Sequence, residues 1–120
     1  MREITTHKVN GLNEALEVLA VDEAGSGGAS HHYLIAIRDQ VPHRAEFFFQ
    51  DGPIGEVGVN GLSNESLLAV VIDRLQGFQK GPFACRENAL ALTKLEESMH
   101  WLHSRTRERV QRGVEGTLNK

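Results

Sequence analysis

The residues best suited to chemistry lie near the C-terminal end. Lys94, Ser98, Trp101, Arg105, Arg109 and Arg112 recur at steps of three or four, so a helix would gather them on one polar face. Four arginines fall between Arg105 and Arg112, with Glu108 the one acid among them. Guanidinium groups grip phosphate bidentately, and Trp101 or Phe78 offers a ring on which a base can stack. The same spacing also suits arginines that complement a helix dipole, cover apolar surface and pair with Glu96, Glu97 or a neighbouring chain. Phe78 and Trp101 equally suit packing, and Asn88 suits a solvent-facing helix position. Spacing leaves both readings open.

Other chemistry finds less support. His100 and His103 form an i, i+3 pair with Glu97 one step earlier, but no third zinc ligand stands at a familiar spacing. Gly25-Ser26-Gly27-Gly28 fits neither the P-loop pattern nor the dinucleotide fingerprint and reads as a flexible connector. Ser26 lacks the nucleophile-elbow context, and Cys85 reads as a small residue in a helical seam. No catalytic, metal or cofactor constellation emerges.

The elements that must position these residues follow from apolar periodicity. Leu67, Leu68, Val71, Ile72, Leu75 and Phe78 predict a helix over about 64–78, with Ser63 as its cap. A second helix is expected from Phe83 to Thr117. Its seam would be Cys85, Ala89, Leu92, Leu95, Met99, Leu102, Thr106 and Val110, with Gly113 and Gly116 marking its end. The short connection implies an antiparallel hairpin whose longer second helix leaves an overhang needing a partner. Upstream, Ala15 to Asp22 is ambiguous between helix and strand. His32 to Arg38 and Arg44 to Gln50 read as strands, and Ile54, Val57 and Val59 suggest another. An antiparallel sheet of about three to five strands is the economical reading.

Length and charge bound the rest. With 120 residues the chain is expected to form a single domain over 1–120, β-rich over 1–62 and a helical hairpin over 63–117. A net charge of -3 argues against polymeric nucleic acid as partner. The longest apolar run, Leu67 to Ile72, is too short for a membrane span, and the N-terminal residues show no apolar signal core. One cysteine suits a reducing compartment, so a soluble intracellular protein is expected.

The run CRENALALTKLEESMHWLHSRTRERVQRGVEGT, from Cys85 to Thr117, resembles the helical hairpin shared by phage Thoeris anti-defence proteins of the first-described type and the anti-CBASS cyclic-nucleotide sponges. The length and β-rich first half look like the Thoeris type. The resemblance implies a non-enzymatic sponge for a glycocyclic ADP-ribose, acting in the cytoplasm of the infected bacterial host. It further implies a homohexamer built as a trimer of dimers, with messenger pockets at dimer interfaces. Carried over by position, Phe78 would be the pocket aromatic, Asn88 would meet a base or ribose edge, and Arg105 would contact pyrophosphate. A separate cyclic trinucleotide pocket would draw on Arg109, Arg112 and Gly113. Rival readings are a messenger-degrading enzyme using Glu97, His100 and His103, and an interaction module whose arginines only bridge subunits.

Overall fold

The computed structural model describes residues 1–120 and has the expected α+β class. The chain divides into two compact units, one of residues 1–52 and 57–62, the other of 53–56 and 63–120.

The first unit is an antiparallel sheet of four strands in the order β1 (Arg2–Ile4), β2 (Leu16–Ala20), β3 (His32–Ile37) and β4 (Ala45–Phe48). Its register explains the alternation seen in sequence. Leu16, Val18 and Ala20 lie opposite Ile37, Ile35 and Tyr33, and Tyr33 lies opposite Phe47. Directly opposed residues share a face, so these side chains make one apolar surface. Tyr33, Phe47 and Phe49 close part of it as an aromatic cluster with centroids 5.6 to 6.1 Å apart. Ala20 is nevertheless the only fully buried apolar residue in the chain.

The ambiguous segment Ala15 to Asp22 resolves as strand at Leu16–Ala20, with only Ala15 in the helix that precedes it. A short helix, α1 (Gly11–Ala15), capped by the Asn10 side chain, runs directly into β2. The strand expected at Ile54 to Val59 is instead one helical turn, α2 (Ile54–Val57). Pro53 favours a helical start, and its carbonyl accepts from the Glu56 amide at 3.0 Å; the positive φ of 73° at Gly58 ends the turn.

The glycine-rich break is also more ordered than a flexible connector. Ser26–Gly28 forms a 3-10 turn, and the Gly25 amide donates to the Ala29 carbonyl at 2.8 Å. The Asp22 carboxylate accepts from the amides of His31 at 3.0 Å and His32 at 3.2 Å. Donation from His31, then from His32, favours the ionised carboxylate and lowers its pKa from the ordinary 3.8.

The second unit holds the hairpin of α3 (Asn64–Lys80) and α4 (Arg86–Arg112). Ser63 caps α3 as expected, in a reciprocal box with Ser66. Leu67, Leu68, Ile72 and Leu75 of α3, and Ala89, Leu92, Leu95, Met99, Leu102 and Thr106 of α4, are half-buried along the seam. Both ends of the expected second helix need correction. Cys85 is not a seam residue but the exposed cap of α4, its Sγ accepting from the Asn88 amide at 3.4 Å. At the other end the helix stops at Arg112, and Arg109 turns inward where Val110 was expected, leaving Val110 exposed. From Thr106, steps of three and four both continue the pattern, which is why spacing could not separate them.

Candidate ligand-binding site

The turn of the hairpin is built by side chains. The Gln79 amide both donates to the Cys85 carbonyl and accepts from the Cys85 amide, each at 3.1 Å, and so holds the end of α3 against the start of α4. Neither terminus of this short connection is left to solvent alone. Phe78 lies beside this clamp. Arg74, one helical turn earlier, places its guanidinium carbon 5.1 Å from the centre of the Phe78 ring, within cation–π range.

These residues wall a pocket of about 360 Å³ lined by Arg74, Gly77, Phe78, Gly81, Pro82 and Phe83. Phe78 is 38% exposed and Phe83 73%. Rings at a pocket wall offer stacking area to a flat ligand, and a volume of this order accommodates a small molecule. Arg74 makes no ion pair, so its donors remain free beside the ring.

The other sequence-nominated residues do not share this pocket. Asn88 is half-buried in the first turn of α4, beyond the Cys85 cap. Arg105 is exposed on α4. At about 1.5 Å of rise per residue, Arg105 stands roughly 25 Å along the helix from Asn88. Phe78 and Asn88 therefore lie at one end of the hairpin and Arg105 towards the other.

Two of the four arginines of the cationic cluster are consumed within the chain, while Arg105 and Arg107 have no acid partner. Arg109 is only 6% exposed: its Nε donates to Glu115 at 3.1 Å, and its Nη2 to the carbonyls of Val114 at 2.9 Å and Thr117 at 3.1 Å. Its Nη1 donates to the Asn119 carbonyl. This network folds the tail over the end of α4. Arg112 forms a two-point pair with Glu108, its Nη2 reaching Oε2 at 3.1 Å. Gly113 is the left-handed cap, with φ 74°, donating back to Arg109 and Val110.

Glu97 pairs with Lys94 at 3.5 Å, while His100 lies edge-on to Trp101 with centroids 5.4 Å apart. No group of three or more His, Cys, Asp or Glu side chains is gathered as a metal would need. No helix is long and apolar enough to cross a membrane. Arg74, Gly77 and Gln79 were missed by sequence reasoning. The only available signal was that 74, 77 and 78 fall on one face of α3, and on a helix surface that signal is ordinary.

A small antiparallel sheet followed by an unequal helical hairpin with an aromatic pocket at its turn defines an α+β hairpin protein. Residues 42–107 match the family model described as "Acb2/Tad1, hairpin domain", and the chain belongs to that family. It is 53% identical over 96 residues to Thoeris anti-defense 1 of Bacillus phage SBSphiJ7, a match covering 80% of this chain and 66% of that relative. The chain is thus a homologue of a phage Thoeris anti-defence protein. The family match begins upstream of the Cys85 to Thr117 run and takes in β4, α2 and α3. Phe78, Asn88 and Arg105 lie inside it, whereas Arg109, Arg112 and Gly113 lie beyond.

Proposed function

We propose that this protein is a phage anti-defence sponge that binds a cyclic ADP-ribose-type messenger and sequesters it without cleavage. The observation that carries the reading is the half-exposed Phe78 ring at the wall of a ligand-sized pocket, in a family named for this hairpin. A sponge must hold its ligand below the threshold of the effector, which calls for nanomolar affinity, about 12 kcal/mol. Binding groups suffice for that; no reacting group is required.

The roughly 25 Å between Asn88 and Arg105 supports a pocket shared by two copies of the chain. Phe78 and Asn88 of one copy would stack and orient the base, and Arg105 of another would reach the pyrophosphate. Exposed Val70, Val71 and Leu90 give such a pairing apolar surface to cover. A homohexamer, as a trimer of dimers, would multiply these sites. A second pocket for cyclic trinucleotides at the α4 terminus would use Arg112 and Gly113 as contacts, with Arg109 bracing the tail beneath them.

Native mass spectrometry with a panel of cyclic ADP-ribose isomers and cyclic oligonucleotides tests this, because it reads oligomer size and bound stoichiometry together. Retention of an intact isomer, recovered unchanged after denaturation, is the expected result; recovery of a hydrolysed product would establish the degrading enzyme instead. Arg105→Glu should abolish binding while leaving the oligomer intact. Unchanged affinity would remove Arg105 from the site.

A further inference from the structure

Gly77 is an unexplained choice for α3. It lies three residues inside the end of the helix and has no positive φ, so its backbone does not require glycine. A Cβ built there meets no atom within 4 Å, so packing within the chain does not require glycine either. Helix propensity runs against it, since glycine is among the least favourable residues in a helix. What a side chain at 77 would occupy is the pocket itself, of which Gly77 is part of the wall.

Arg74 presents the matching puzzle. Its guanidinium sits over Phe78 with no carboxylate within 4.0 Å, whereas Arg109 and Arg112 are both paired with acids of the chain. A ring face satisfies none of the guanidinium N–H groups, which stay available to phosphate oxygens.

From these two features, and resting on the sponge reading above, we infer that the Arg74–Gly77–Phe78 turn of α3 is itself a recognition element for a purine nucleotide bearing a pyrophosphate. Gly77 leaves the depth in which the flat base lies along Phe78. Arg74, over the same ring, donates to the pyrophosphate at the pocket mouth. Gly77 thus sets which ligands enter, and Arg74 adds the charge that separates a nucleotide from its uncharged nucleoside.

The test uses the full chain, a panel of cyclic ADP-ribose isomers and adenosine as the uncharged probe, with titration calorimetry for affinity and native mass spectrometry for assembly. Gly77→Leu should weaken binding of the retained isomer by ~100-fold, the scale of filling a fitted space, with the oligomer unchanged. Arg74→Gln, which keeps bulk and removes charge, should weaken it ~10-fold or more and narrow its preference over adenosine by the same factor, the Arg105 contact remaining. Gly77→Ala, which favours the helix, should fold at least as stably as the parent and bind with intermediate affinity, keeping the test open should the leucine variant fail to fold. Parental affinity in Gly77→Leu or Gly77→Ala would overturn the assignment of Gly77. Loss of the oligomer in a folded Gly77 variant would also overturn it, because the open space would then belong to a second copy. If the parent binds no isomer, the sponge reading falls and takes this inference with it. If the parent binds and the variants match it, only the inference falls.

Discussion

The two ends of the hairpin each carry an arginine and a glycine, and they use them in opposite ways. At the C-terminal end Arg109 is buried and spends its donors on Glu115 and on carbonyls of the tail, while Gly113 is required by a φ of 74°. At the turn end Arg74 lies over a ring with no acid partner, and Gly77 is required neither by φ nor by a neighbouring atom. Satisfied polar groups and forced backbone angles are the marks of a fold holding itself together. Unspent donors and unfilled space mark a surface shaped for something else. Arg105 and Arg107 of the sequence cluster are unpaired as well, so it is pairing within the fold, and not clustering in sequence, that sorts the arginines available to a ligand.

The largest effect that could break this contrast is at Arg109. Arg109→Ala should destabilise the protein by about 3 kcal/mol, since it removes a buried side chain, its hydrogen bonds to the tail carbonyls and the partner of Glu115. Thermal or denaturant unfolding would show it. A loss below about 1 kcal/mol would mean that the tail is not held as described, and would free Arg109 for ligand.

The glycines sharpen the comparison by sign. Gly113→Ala should cost about 1 kcal/mol, because a Cβ is strained in the left-handed region. Gly77→Ala should do the reverse and stabilise by up to about 1 kcal/mol, because α3 gains helix propensity and the new methyl meets open space. Paired denaturation curves test both, and equal signs would erase the distinction between the two ends.

Much of this fold was legible because its signals are periodic. Tyr33, Ile35 and Ile37 alternate, and Leu92, Leu95, Met99 and Leu102 step by three and four; the sheet and hairpin follow these patterns. What stayed hidden was local or ambiguous. β1 is three residues long and gives no period to read. Ile54 and Val57 look like strand residues until Pro53 and Gly58 confine them to a single turn. At the site, Phe78 stood out by type, and resemblance added Asn88 and Arg105. Arg74 and Gly77 are unremarkable as residue types on a helix surface. Their meaning comes from a missing partner and an empty volume, which only coordinates can show.

The smallest effect concerns Arg112, where sequence and structure both show charge but assign it different worth. Its pair with Glu108 is an i, i+4 contact between exposed side chains, so water screens it and side-chain entropy opposes it. Arg112→Gln should therefore change stability by less than about 0.5 kcal/mol, and added salt should narrow even that difference. Its neighbour Arg109, three residues away, also pairs with one acid but is buried and holds the tail carbonyls, so the larger effect there reflects burial and those added bonds. A cost at Arg112 comparable to that at Arg109 would mean that both arginines of the last helical turn are structural, and the end of α4 would then hold its own tail, leaving Arg105 and Arg107 as its cations open to a ligand.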